Sequence, residues 1–527
     1  APPINEAAPV IIEIPAAISG ATTNNIFGLK IDLLRMLGSG QTIRTASGGT
    51  ITLRGGNSIT NVHSAGVNYI DTTITLEGTN RIVSPVSFNF LGSVIGSGGL
   101  ETEGTVRFGA AAANTFAGPT ILRSGSVTLD NETLVGLVSI PGDLIIQNGL
   151  VLFGNSGQLA ETSTVTLEAG GVLDLNGYNQ TIASLMLAGG TVETDGGTLT
   201  LGGNVTASAN SSVTGKLSLG GMSRTFQVAL NRTLTISAAI SGGSGINNAG
   251  LTKTGPGTLA LAGANSFIGN VFVSEGTLDV RHLSALGASF LGGTSVASNA
   301  TLSILDGLNI ASEALSLTSA KLRCNGTGAW IGPITLNGEC ALQSVSAGQE
   351  LALTGAISGP GGFDCIGLGR VLIGGTNSNT FAGVAKVSSG SLRLAKSDGA
   401  IAIPGDLIIG GLIGANNSDQ VFCAEQNQFS SNSVVTVLPS GQLLLNSGST
   451  TVGGLILQGG EVATSFGTLV LNGNVSVPPA VQQSKIAGKL SLGALQRTFD
   501  VAASATYPAL EISAVISGTA QGGIRKT

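Results

Sequence analysis

Charge is scarce in this chain. Only 10% of its 527 residues are Asp, Glu, Lys or Arg, and the formal balance is −6. So small and slightly acidic a charge excludes the basic footprint needed to hold nucleic acid, and it gives no reason to expect binding to anionic membranes. Aromatics make up 4%, with Trp330 the one tryptophan and Tyr69, Tyr178 and Tyr507 the tyrosines. That is too few rings for a stacking platform that would hold sugars. The two histidines, His63 and His282, stand far apart in sequence without ligand-spaced neighbours, which favours turn or surface roles over metal or catalysis. The four cysteines, Cys324, Cys340, Cys365 and Cys423, form no C-x-x-C pair, so neither a zinc site nor a thioredoxin-like motif is written here. No uninterrupted apolar run reaches the roughly 18 residues that span a bilayer. The N-terminal "APPINEAAPVIIEIP" lacks the basic start and the long apolar stretch of a signal peptide.

What the chain does have is glycine, 81 residues of it, set between short apolar alternations. In "LTKTGPGTLALAGANSFIGNVFVSEGTLDV", Leu251 to Val280, leucines and valines alternate with small residues, the period-two signature of half-buried strands. Gly263 to Asn265 and Glu275-Gly276 supply the turn chemistry between them. The stretch reads as three short strands joined by tight corners, with no segment long or periodic enough for a helix.

The pattern recurs in register. Asn265-Ser266-Phe267-Ile268-Gly269 answers Asn114-Thr115-Phe116-Ala117-Gly118 and Asn379-Thr380-Phe381-Ala382-Gly383. Gly125, Gly276 and Gly390 follow at the same distance, and Val127, Leu278 and Leu392 two residues later. The three phenylalanines are expected to face the interior, and the later glycines to occupy matching turns. A second marker, Ile-Ser-Gly, closes stretches at Ile18–Gly20, Ile240–Gly242, Ile357–Gly359 and Ile516–Gly518, with a weaker form around Ile95. Between the markers lies a duplication. "IPGDLII" appears at Ile140–Ile146 and Ile403–Ile409, "GKLSLG" at Gly215–Gly220 and Gly488–Gly493, and Arg-Thr-Phe at 224–226 and 497–499. Self-similarity of this kind decides the architecture before anything else does.

Many short strands and turn clusters allow a sandwich, a propeller or a solenoid. Propeller blades need a regular period of roughly 40–50 residues, and the marker intervals here are long and unequal. A solenoid pairs each coil with its neighbours and leaves few exposed strand edges. The expected fold is therefore all-β, a right-handed parallel β-helix (β-solenoid) wound by the crossover rule. It should form an elongated rod with little helix, "IDLLRMLG" at Ile31–Gly38 being the best candidate for a stray helical turn. At about 20–25 residues per coil, Cys340 and Cys365 could stack on adjacent rungs, as a disulfide or as buried thiols. The expected segments are a divergent one at 1–98, a first unit at 99–248, a shorter second at 249–362, and a third at 363–527 that nearly duplicates the first.

"KTGPGTLALAGANSFIGNVFVSEGTL" at Lys253–Leu278 resembles the autotransporter-associated β-strand repeat, also called the passenger-associated transport repeat. "VLDLNGYNQTIASL" at Val172–Leu185 resembles the coil that accompanies it, and weaker copies lie at Gly104–Leu129 and Gly369–Leu394. The resemblance implies a bacterial surface or secreted β-helix passenger, sent across an outer membrane, with roles in adhesion or structure.

Chemistry-bearing residues give little beside this. Asp130, Asp143, Asp174, Asp195, Asp279, Asp306, Asp364, Asp398 and Asp406 are scattered, with no Asp-Asp pair and no pair one coil apart beside a basic residue. They read as turn residues rather than the clustered general acid and base of a glycan-cleaving β-helix. Glycine stretches such as Gly242–Gly245 lack the strand-to-helix context of a phosphate loop, and the nine Asn-x-Ser/Thr sequons fit turn asparagines. No catalytic, metal or cofactor residue is expected. The expected function is structural and non-catalytic, in a stalk, fibre or layer at the outer surface of a Gram-negative-type bacterium or outside it. The alternative is an adhesin passenger presenting loops to another cell, and a glycan-active enzyme ranks third. Expected partners are further copies, neighbouring repeats, or a cell-surface glycan or protein. "GGIRKT" at Gly522–Thr527 matches the lead-in at Gly250–Thr254, so both ends fall at one phase of the repeat. This leads to the expectation of an in-phase excerpt of a longer array, or of a subunit whose ends are covered by neighbours.

Overall fold

The computed structural model describes residues 9–15, 21–23, 29–44, 49–131, 137–243, 248–288, 292–311, 313–503 and 508–527. The marker at Ile18–Gly20 and the second half of the glycine stretch, Ser244-Gly245, lie outside these residues. Among those described, every regular element is a β-strand and none is a helix. The chain forms two compact units, Ala1–Gly269 and Asn270–Thr527.

In the first unit, from Thr164 to Ser241, each coil contributes strands to three parallel columns. One runs through Leu144–Ile146, Thr164–Glu168, Ser184–Ala188, Val205–Ala207 and Arg224–Val228. A second runs through Gly149–Phe153, Gly171–Asp174, Thr191–Glu193, Ser211–Thr214 and Thr233–Ile236. The third runs through Gln180–Ile182, Leu199–Leu201, Lys216–Ser218 and Ala239–Ser241. Period-two alternation sends one apolar set inward along each strand: Leu144, Val165, Leu185 and Val205 are all 1% exposed or less. Each such side chain stabilises the fold by about 1.5–3 kcal/mol relative to exposure. Corners come from residues that accept a left-handed backbone, among them Asn176 (φ 47°), Asp195 (φ 50°) and Asn231 (φ 57°). One isolated antiparallel bridge, Glu168 to Gly189, interrupts the parallel pattern.

The charged residues of the first hundred or so positions form rungs too. Arg35–Glu13, Arg81–Glu103 and Arg123–Glu101 each link neighbouring coils at a separation of 22 residues. These pairs are largely solvated, so each contributes about 0–1 kcal/mol.

The second unit repeats the plan. A parallel ladder stacks Leu351, Val371, Leu392, Val421, Leu443 and Val462 in register, all of them 1% exposed or less. Gly523–Lys526 pairs with Gln496–Val501 so that Lys526 faces Phe499, as Lys253 faces Phe226 in the first unit. The phase match between "IRKT" and "LTKT" is thus a match of register.

The helical turn expected at Ile31–Gly38 is not there. Leu29–Ile31 and Leu33–Met36 are strands, the latter paired with Ile11–Ile14 on one side and Gly56–Asn61 on the other. Leu34 and Met36 point inward and are 2% and 0% exposed, while Arg35 faces out to Glu13. The helix preference of Leu, Arg and Met is weak, and two flanking strands override it.

Candidate functional surface

The Asn-x-Phe-x-Gly segments form one device, built three times. Asn114 Oδ1 accepts the N–H of Val94 at 2.8 Å, Asn265 Oδ1 that of Ile240 at 2.8 Å, and Asn379 Oδ1 that of Ile357 at 2.9 Å. The next residue returns the bond: the N–H groups of Thr115, Ser266 and Thr380 donate to the carbonyls of the same Val94, Ile240 and Ile357. On the other side, Asn114 Nδ2 donates to the Ser139 carbonyl at 2.7 Å and Asn379 Nδ2 to that of Ala402 at 2.8 Å. A buried asparagine thereby clasps the coil before it, and Asn114 and Asn379 also clasp the coil after. The residue clasped is the first of the Ile-Ser-Gly marker, so the two motifs are two rungs of one contact. In the weak marker the equivalent residue is Val94, not Ile95, a shift of one position that only the bond reveals.

The rest of the segment serves the same stacking. Phe116, Phe267 and Phe381 are interior, at 1%, 0% and 1% exposed. A Cβ on Gly118, Gly269 or Gly383 would lie 2.6, 2.5 and 2.3 Å from backbone atoms of the preceding coil. Gly125, Gly276 and Gly390 all take positive φ, at 94°, 71° and 81°. Sequence reasoning does not find Lys253. Its side chain is fully buried, and its ammonium donates to the carbonyls of Thr254 and Gly255 at 2.9 and 2.6 Å, locking the turn that follows.

The titratable residues are mostly structural. The Asp130 carboxylate pairs with Arg107, and those of Asp143, Asp306 and Asp406 accept backbone N–H groups of the next coil from Thr164, Thr327 and Val434. His63 Nδ1 contacts the Ala65 carbonyl at 2.7 Å, and His282 Nδ1 accepts the Ser284 N–H at 3.0 Å, so both sit in turns. All four thiols are buried and free. Cys365 pairs with Leu342 and Cys340 with Phe363, so the expected stacking of the two cysteines is off by two residues. Burial pushes the Cys324 thiol up to about 11 and that of Cys365 well above its ordinary range. Thiolates, the reactive form, are correspondingly suppressed. Among the described residues, no group of three or more His, Cys, Asp or Glu is placed to hold a metal ion.

One expectation needs correcting. A carboxylate pair one coil apart beside a basic residue does exist. Glu339 ion-pairs with Lys386, and Asp364 lies between them in the column, facing Ala341 on one side and Lys386 on the other. The signal lies in separations near one coil, and a comparison among aspartates alone misses it because one partner is Glu339. Burial raises the Asp364 pKa and Glu339 adds to the rise, while Ser388 and Lys386 oppose it. Both Asp364 oxygens accept from Ser388, from its N–H at 3.1 Å and its hydroxyl at 2.8 Å. The cluster is a satisfied network between coils.

The Passenger-associated-transport-repeat family matches residues 251–280. Over 180 residues the chain is 32% identical to the adhesin BmaC autotransporter of Brucella suis biovar 1 (strain 1330). That stretch is 32% of this chain and 5% of the relative, so the chain spans only a small part of the protein it matches. No solved structure matches the chain. No helix among the described residues is long and apolar enough to cross a membrane. Residues 251–280, which contain the buried Lys253 and the Asn265 clasp, match the passenger-associated transport repeat.

Proposed function

We propose that this chain is part of a passenger at the outer surface of a Gram-negative-type bacterium, and that its work is structural: a solenoid scaffold that performs no catalysis. Residues 1–98, 99–248, 249–362 and 363–527 are its successive segments in this reading, and its partners are further copies or neighbouring repeats. The observation that carries the proposal is the asparagine clasp. The asparagines of the three recurring segments are buried between coils and bonded to backbone, which is how a scaffold uses them. The cluster of Glu339, Asp364 and Lys386 supports the same reading, because each of its groups already has a partner within the fold.

The relative's name, an adhesin, favours a second reading in which the scaffold displays loops that grip a cell-surface glycan or protein. Surface placement is tested by adding protease to intact cells: the chain should be cleaved while a periplasmic marker survives. Catalysis is tested by incubating the purified chain with pectin and alginate, where no unsaturated or reducing ends should appear. Protection of the chain in intact cells would overturn the location, and steady product release would overturn the non-catalytic role.

A further inference from the structure

The duplicated segments differ in length at several places, and the fold brings two of these differences to one spot. Leu144–Ile146 corresponds to Leu407–Ile409 at an offset of 263 residues, Gly149–Phe153 to Asp419–Cys423 at 270, and Ser211–Thr214 to Ser484–Ala487 at 273. Seven residues are therefore added between Ile409 and Asp419, and three between Val477 and Ser484. A cavity of about 410 Å³ is lined by Leu412 from the first insertion and by Pro479, Ala480 and Val481 from the second, with Pro439 and Gln458 between them. At the offset of 270, the first copy has Ala169 and Ala188 where Pro439 and Gln458 stand.

The insertions are pinned to the coils beneath. Gln458 Nε2 donates to the Pro479 carbonyl at 3.2 Å, and Gln482 Nε2 donates to the carbonyls of Pro439 and Gly459. The Gly411 N–H donates to Ser440 Oγ at 2.7 Å, and Asn417 Nδ2 to Glu461 Oε2 at 2.9 Å. Yet the apolar side chains stay outside: Leu412 is 67% exposed, Val481 81%, and Ile413 93%, the most exposed large aliphatic among the described residues. Ordered backbone under exposed aliphatic side chains marks a contact surface.

We propose that this groove binds the same groove of a second copy of the chain, in a two-fold contact that seats each Ile413 in the partner's cavity. The inference rests on the self-association part of the proposed function and names its surface. Charge selects the occupant. A two-fold contact sets every group of a patch against its own duplicate, so a charged patch repels itself. None of the six lining side chains is charged, whereas the chain as a whole carries −6. The hole and the knob that fills it also lie on the same patch, as self-complementarity requires. Three exposed aliphatic side chains supply less than the roughly 800 Å² per partner of a standard interface, so the contact is weak and reverses on dilution.

Sedimentation velocity of the full chain across about two decades of concentration should show a dimer that grows with concentration. Ile413→Asp should weaken it at least tenfold, with the circular-dichroism spectrum unchanged because the side chain is solvated. On mild oxidation a mixture of Ile413→Cys chains with Val481→Cys chains should give a mixed disulfide-linked dimer, since Val481 lines the cavity and the four native thiols are buried, whereas Ile413→Cys mixed with Phe466→Cys, at an exposed turn between other strands, should not. A wild-type chain that stays monomeric at every concentration would overturn the proposal. Dimerisation that Ile413→Asp leaves intact would overturn the groove as its site while self-association stands. Saturable binding of laurate to a monomeric chain, lost in Ile413→Asp, would assign the groove to an acyl ligand instead.

Discussion

Asn379 shows how much a single side chain settles in this fold. Its amide joins three coils, accepting a hydrogen bond from the Ile357 N–H and donating one to the Ala402 carbonyl, at 2% exposure. Each bond is worth about 0.5–1.5 kcal/mol net, but a buried group left without its partner costs about 1–3 kcal/mol. Asn379→Ala orphans one donor and one acceptor, so a loss of about 2–5 kcal/mol is expected in denaturant titration. Asn379→Asp keeps the acceptor, loses the donor and buries a carboxylate, so it should be no milder at neutral pH and should recover in acid. A change below about 0.5 kcal/mol for the alanine variant would show that the clasp does not hold the coils.

At the scale of elements, Glu313 ties three successive coils. Its carboxylate accepts from the Thr294 hydroxyl at 2.8 Å, and its backbone carbonyl accepts from Trp330 Nε1 at 3.0 Å. The residue is 3% exposed, and burial pushes its carboxyl up to about 7 from 4.5, the Thr294 bond opposing. A raised acid pKa means that the fold favours the neutral form. Its contribution to stability is full below about pH 4.5 and is lost as the pH rises through about 7. Glu313→Gln keeps an acceptor for Thr294 and removes the charge. Relative to the parent, the variant should gain stability on the order of 3 kcal/mol between about pH 4.5 and about pH 8, read from denaturation midpoints at the two pH values. A stability difference that does not vary with pH would remove the carboxylate from the account.

At the scale of the molecule, a solenoid's stability is a sum over coils and their interfaces, so what matters in a deletion is whether register survives. Leu185 pairs with Val205, which makes residues 185–204 one coil containing Ser184–Ala188 almost entirely, Thr191–Glu193 and Leu199–Leu201. Excising 185–204 should leave a folded all-β chain by circular dichroism, with thermal unfolding still cooperative. Excising 185–194 alone should not, because the strands beyond it would be carried about half a coil out of place and would meet the wrong columns. Equal folding of the two variants would contradict the three-column plan.

Much of this was legible in the sequence, for a local reason. Alternation of period two names the strands and their inner faces, as with Leu259 and Leu261, and glycine at a fixed distance from asparagine names the corners. The recurrence of Asn-x-Phe-x-Gly then gives the repeat, because each copy answers the same steric demand. What the sequence could not decide is which residues of different coils meet. Coil length is not constant: bonds between neighbouring coils span 19 residues from Asn179 to Thr198 and 27 from Ser223 to Gly250. Register across coils therefore depends on every insertion before it. That is why Val94 rather than Ile95 is clasped, why Cys365 misses Cys340, and why Glu339, Asp364 and Lys386 converge. It is also why two insertions more than sixty residues apart build one groove. Sequence periodicity fixes what each residue does within its own strand, and the winding of the coils decides what stands beside it.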